Sequence, residues 1–95
     1  MSRPAHFKFR LYTADDSQNS AQALANLKAL CATYLPERHD IEVINVFSDP
    51  QRALTDKIRM TPTLLKLAPL PMQRVVGTLS QTSKVLLALG LDPPP

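Results

Sequence analysis

Residues 61–77 read Thr-Pro-Thr-Leu-Leu-Lys-Leu-Ala-Pro-Leu-Pro-Met-Gln-Arg-Val-Val-Gly, and this stretch decides the fold. Thr63 to Ala68 is a β-type run, Pro69-Leu70-Pro71 is a turn, and Met72 to Gly77 is a second β-type run. Two such runs joined by a short proline-bearing turn predict an antiparallel strand pair. Pro62 stands directly before the first of them, where a residue with no ladder donor is tolerated.

Upstream, Ser48-Asp49-Pro50-Gln51 reads as a helix start. A side-chain oxygen there can accept from free backbone amides, and proline suits the first turn because its missing N–H has no partner to lose. A short helix through Ile58 is expected. Ile41 to Phe47 precedes it, with Ile41, Val43 and Phe47 on one side and Ile44 and Val46 on the other. Apolar residues on both sides predict a strand covered on both faces, the central one of its sheet. Further back, Leu24, Leu27, Leu30, Cys31 and Tyr34 recur at spacings of three and four, which predicts a helix capped by Asn19 or Ser20 and stopped by Pro36. His6 to Thr13 alternates, with Phe7, Phe9 and Leu11 opposite Lys8, Arg10 and Tyr12, the period of a half-buried strand. Downstream, Ser80 is read as the cap of a helix over Gln81 to Leu89, ended by Gly90.

The order is β-α-β-α-β-β-α. A right-handed crossover makes the first two strands parallel, and the terminal hairpin completes a mixed four-stranded sheet flanked by helices. That is the α/β arrangement of the thioredoxin-like fold. In that fold the Thr61-Pro62 bond is expected to be cis; a trans proline opening an edge strand is the alternative.

Ninety-five residues make one domain over 1–95, with a Pro-rich tail at 92–95 and a core that buries roughly 60 to 65% of the unfolded surface. Hydrophobic residues are 44% of the chain, yet no apolar run nears the roughly 18 residues that span a bilayer. Lys8 and Arg10 interrupt the apolar N-terminal stretch, which does not read as a secretory signal. A cytoplasmic protein without membrane partners is expected. The net charge of +3 comes from 11 basic and 8 acidic residues with no block of like sign, so nucleic acid is not an indicated partner.

The chemistry-bearing residues are sparse. A redox thioredoxin carries its dithiol between strand one and helix one, where this chain has Thr13-Ala14-Asp15-Asp16-Ser17-Gln18. Cys31 is the sole cysteine, which excludes an internal disulfide and a Cys-x-x-Cys pair and reads as a core residue. Asp15 and Asp16 lack the converging oxygens that calcium or magnesium requires, and a solvated helix-capping loop accounts for them. His6 and His39 have no zinc-ligand spacing, and Gly77 and Gly90, the two glycines, form no phosphate loop. No catalytic residue, cofactor or metal site is expected. Lys66 and Arg74 flank the proline turn and are read as neighbours on one face, able to meet an acidic partner.

From Phe7 to Leu91 the chain resembles the KaiB family, small adaptors of clock and stress systems. The resemblance rests on Leu11-Tyr12, Asn19-Ser20, Ala23-Leu24, Val43-Ile44, Val46, Asp49-Pro50-Gln51, Asp56-Lys57-Ile58, Thr61-Pro62-Thr63-Leu64, Pro69-Leu70-Pro71 and Leu79-Ser80. It implies a non-enzymatic partner of a KaiC-like double-ring ATPase, docking on its N-terminal ring, with KaiA or a clock histidine kinase as further partners. It also implies fold switching between a homotetramer or dimer with a rearranged C-terminal half and a thioredoxin-like monomer that binds the ATPase. Pro62, Pro69, Pro71 and Ala88 lie in the switching half. Ala88 stands where the family has a glycine, and alanine is favoured inside a helix by about 1 kcal/mol, which tilts this chain toward the thioredoxin-like form. Asp15-Asp16 replaces the family's Gly-Asn, Gln22 and Glu42 replace basic residues in helix one and strand two, and Pro93-Pro94-Pro95 replaces a longer acidic tail. With Lys66 and Arg74, Gln22 and Glu42 are the candidate partner contacts. The alternatives are a thiol-dependent redox protein using Cys31 and a scaffold of other specificity.

Overall fold

A computed structural model describes residues 5–91; the proline tail at 92–95 lies outside the described residues. The strand-turn-strand reading of 61–77 holds, as β3 (Thr63–Ala68) and β4 (Gln73–Val76). They pair antiparallel with Leu65 opposite Arg74 and Lys66 opposite Gln73. Before them come β1 (Phe7–Thr13), α1 (Gln18–Tyr34), β2 (His39–Asn45) and α2 (Pro50–Thr55), and after them α3 (Thr82–Ala88). The sheet order is β2-β1-β3-β4, with β1 parallel to β2 and antiparallel to β3.

The expectation that the second strand is central is overturned: β2 is an edge, and β1 lies between β2 and β3. Its two-sided apolar pattern has another cause. Ile41 packs into the cluster under α1 and α3, while Ile44 packs into the cluster under α2. Val43 is 46% exposed. Conversely β1 is more than half-buried, since Leu11 and Tyr12 on opposite faces are both fully enclosed.

Phe7, Phe9, Leu11 and Leu64 meet Leu27, Leu30 and Cys31 of α1 and Val85, Leu86 and Leu89 near α3 in one cluster. Tyr12, Ile44 and Leu65 meet Ala53 of α2 in the other. Each enclosed leucine contributes about 1.5–3 kcal/mol relative to exposure, and the larger cluster fixes the α1/α3 layer.

The caps differ from expectation at two ends. Ser17 caps α1 by accepting from the Ser20 N–H at 3.2 Å. The Ser20 hydroxyl instead accepts from the Ala14 N–H at 3.0 Å. Residue Gln81, not Ser80, is the N-cap of α3, and it makes no side-chain cap bond. Asp49 caps α2 as expected, accepting from the Arg52 N–H at 3.3 Å. That helix stops at Thr55, short of Ile58, because Lys57 adopts φ 56°. Gly90 ends the last helix at φ 79°, with the Leu91 N–H donating to the Leu86 carbonyl, a glycine-terminated C-cap.

Candidate functional site

The mouth of α1, where a redox thioredoxin carries its dithiol, is built from β1's end, the Thr13–Gln18 loop and the residues opposite it in the sheet. Register brings Asn45 beside Thr13 and Thr63 beside Tyr12, so Pro62 and the loop share one end of the sheet. The Thr61-Pro62 bond is cis, as are Ala68-Pro69 and Leu70-Pro71. Asp15, at φ 47°, is tied to β2: its N–H donates to Asn45 Oδ1 at 3.2 Å, and Asn45 Nδ2 donates to Asp15 Oδ1 at 2.7 Å. The carboxylate is thereby committed to a loop-to-strand tie. A cleft of about 270 Å³ lined by Thr13, Asp16, Leu24 and Val43 opens here, with no sulfur in its wall among the described residues.

Cys31 lies on the buried face of α1, fully enclosed. Burial pushes its thiol up to about 11, so the nucleophilic thiolate is disfavoured at neutral pH. Among the described residues no group of three His, Cys, Asp or Glu side chains gathers as a metal site. His6 and His39 have separate partners: Asp40 Oδ2 lies 2.9 Å from His6 Nε2, and the Leu35 carbonyl 2.7 Å from His39 Nδ1.

The four candidate contact residues do not form one patch. Gln22 is exposed on α1. Lys66 and Arg74 are not face-neighbours, because Arg74 opposes Leu65 while Lys66 opposes Gln73. Lys66 is 3% exposed; its Nζ donates to the Leu89 carbonyl at 3.1 Å and lies 5.7 Å from the Phe7 ring centroid. Its charge serves the last turn of α3, since a cation is favourable at a helix C-terminus. Arg74 is exposed on the α2 side of the sheet, with Nη2 donating to the Asp56 carbonyl at 2.7 Å and Nη1 to the Lys57 carbonyl at 3.2 Å.

Glu42 belongs to a side-chain network that pattern reading missed. Arg10 Nε and both terminal nitrogens of Arg52 donate to the Glu42 carboxylate, each at 2.9 Å. These guanidinium bonds, Arg52's first and Arg10's second, hold Glu42 down to about 2. Arg10 Nη1 also donates to Asp56 Oδ2 at 2.9 Å, and the Tyr12 hydroxyl donates to the same oxygen and lies 3.1 Å from the Arg52 carbonyl. Burial raises the Tyr12 hydroxyl to about 12, reinforced by the Asp56 carboxylate that its proton bonds. Three elements, β1, β2 and α2, are thus pinned by four charged groups and one phenol. The alternation of β1 already placed Arg10 and Tyr12 on one face; nothing local indicated partners 32 to 46 residues away. Pro69 and Pro71 bracket the β3–β4 turn, and Ala88 closes α3.

A family model described as the KaiB domain matches residues 10–91. Circadian clock protein KaiB3 of Synechocystis sp. is 45% identical over 84 residues, covering 88% of this chain and 82% of that protein. Circadian clock oscillator protein KaiB of Synechococcus elongatus is 41% identical over 91 residues, covering 96% and 89%. Among solved structures, the N-terminal domain of Synechococcus elongatus SasA matches with TM-score 0.73 at 22% identity, over 94% of this chain and 87% of that one. Chloroplastic thioredoxin z matches with TM-score 0.72 at 16% identity, over 90% and 79%. At such identities these two likenesses speak for the thioredoxin-like fold alone. The family model and the close relatives, each spanning most of the chain, carry the assignment: this chain belongs to the KaiB family of circadian clock proteins.

Proposed function

We propose that this chain is a non-enzymatic adaptor that docks on the N-terminal ring of a KaiC-like ATPase and regulates a circadian or stress-response timing system. The observation that carries the reading is the mouth of α1. Its Thr13–Gln18 loop has no thiol, and Cys31 is enclosed with its thiol raised to about 11. A thioredoxin-like scaffold so equipped offers surfaces rather than a nucleophile. Gln22 on α1, Glu42 on β2 and Arg74 on β4 are the exposed contact candidates; Lys66 is enclosed and supports α3 instead.

The protein works in the cytoplasm and occupies two states, an oligomeric ground state and the thioredoxin-like monomer that engages the ATPase, with KaiA or a clock histidine kinase competing for or joining the complex. A partner populates the competent state only through differential affinity. Were that state 1% populated, apparent affinity would fall about a hundredfold, or about 2.7 kcal/mol. Alanine at position 88 favours a helical α3 and so reduces that penalty.

The test is co-elution of the purified chain with a KaiC homologue in a non-hydrolysable ATP analogue. A ring-sized complex supports the reading. A chain that stays separate from the ring at concentrations of about 100 µM, well above ordinary micromolar affinities, overturns it. Disulfide-reductase turnover lost in Cys31→Ser would replace it with the thiol-dependent reading.

A further inference from the structure

The β4 edge has an unused capacity to pair. Gly77 N–H donates to the Pro62 carbonyl at 2.9 Å, and the register places these residues directly opposite one another beyond Thr63 and Val76. In an antiparallel pair, hydrogen-bonded and non-bonded positions alternate. Gln73 and Val75 therefore bond to β3, and the N–H and C=O groups of Arg74 and Val76 point outward from the sheet. Among the described residues neither takes part in any backbone bond outside the ladder. β4 ends the sheet order, so among the described residues no strand covers them.

Beside this edge lies a cleft of about 370 Å³ between β4 and α3. Its apolar wall is Val75, Leu79, Val85 and Ala88, with Lys84 at its margin and, among the described residues, no acidic side chain in its lining. Lys84 is exposed and has no ion-pair partner among the described residues. Val76 is 50% exposed. An exposed edge beside a helix-walled apolar cleft suits strand addition. Main-chain bonds supply affinity, and the cleft selects alternate side chains.

We propose that β4 and the β4–α3 cleft bind an extended, acidic segment of a partner protein, which adds as a fifth strand. One of its apolar side chains enters the cleft, and a carboxylate two residues away, on the same face, meets Lys84. Charge chooses this occupant over a second copy of the chain: β4-to-β4 pairing would set one Arg74 near the other on the α2 face and one Lys84 near the other on the α3 face, and like charges so placed are unfavourable. The site is independent of the ATPase reading, and its test contains no ATPase.

The probe is a dye-labelled peptide, Glu-Thr-Leu-Thr-Glu, blocked at both ends, titrated into the full chain with amide chemical shifts followed by NMR. Shifts confined to Gln73–Gly77 and the α3 residues near Lys84 support the proposal. So does a Kd weakened about tenfold by Lys84→Glu, or by N-methylation of the peptide amides that face the edge, each step removing one charge contact or one backbone bond. The basic counterpart Lys-Thr-Leu-Thr-Lys is expected to bind at least about tenfold more weakly. The chain's own amide spectrum reports whether Lys84→Glu remains folded, and the methylated peptide leaves the protein unaltered. Shifts located elsewhere, binding indifferent to both changes, or no shift at about 1 mM peptide would overturn the proposal. Concentration-dependent dimerisation abolished by Val76→Pro would overturn it as well, and would give the edge to a second copy.

Discussion

Asp56→Asn tests whether the polar network holds α2 on the sheet. Arg10 Nη1 and the Tyr12 hydroxyl both donate to Asp56 Oδ2. The asparagine oxygen can occupy that position with the same shape, so the substitution removes charge and leaves both donors an acceptor. A hydrogen bond to a charged group contributes about 1.5–3 kcal/mol and a neutral one about 0.5–1.5. The loss is therefore about 1 kcal/mol per bond before screening. Side-chain exposure of 23% at Arg10 and 22% at Asp56 leaves water some access, which brings the expected cost of the pair to about 1–2 kcal/mol. For a chain of this length that lowers Tm by about 5–15 °C. Asp56→Ala should cost more, because the enclosed Tyr12 hydroxyl keeps just the Arg52 carbonyl. The assay is urea denaturation at pH 7 of wild type, Asp56→Asn, Tyr12→Phe and the double variant. A coupling of about 0.5–1.5 kcal/mol between the two positions is expected, the size seen for residues in direct contact. An Asp56→Asn midpoint equal to wild type, with zero coupling to Tyr12→Phe, would refute the reasoning.

The acid limb of stability should carry the same signature. Glu42 is depressed from 4.5 to about 2, and Asp56 is also lowered: burial pushes it up, but the Tyr12 hydroxyl and the Arg10 guanidinium outweigh burial. Groups with depressed folded pKa contribute above their unfolded pKa and lose that contribution as pH falls through the folded value. Urea midpoints should therefore decline between pH 4.5 and about 2, and Glu42→Gln should flatten the decline, moderately because Glu42 is 47% exposed. Cys31 should resist iodoacetamide at pH 8 in the native chain and label at least about a hundredfold faster in urea, since its enclosed thiol is both inaccessible and protonated; equal rates by mass spectrometry would contradict the burial. Ala88→Gly should destabilise α3 by about 0.5–1 kcal/mol and, on the proposed two-state reading, raise the oligomer fraction in size-exclusion measurements.

Element order was legible because each segment carries its own punctuation. Pro36, Pro50, Pro69 and Pro71 sit at element borders, and the β-branched runs lie between them. Strand order was less legible. An edge strand packed by α1 on one face and by α2 on the other shows the same two-sided apolar pattern as a central strand, and Ile41 and Ile44 fit both. Cap identity failed for a similar reason. Ser17, Asn19 and Ser20 all have the right chemistry, and the choice falls to Ser17 because the Ser20 hydroxyl is drawn back to the Ala14 N–H, a contact set by how the loop folds over.

Lys66 shows why site residues are harder to read than elements. In Thr63–Ala68 it is the sole charged residue, so composition places it in water, while the ladder places it on the same face as Leu64, under α3. The cost of enclosing an ammonium is offset chiefly at the Leu89 carbonyl, where α3 ends and its dipole is negative, with the Phe7 ring beside it. That compensation depends on α3 docking with its C-terminus over β3, a long-range fact absent from any local window. The same docking sets α3 beside β4 and opens the cleft at Lys84. One lysine is drawn into the core by the end of α3 while another stays free on its flank, and it is the free one that can recruit an acidic partner.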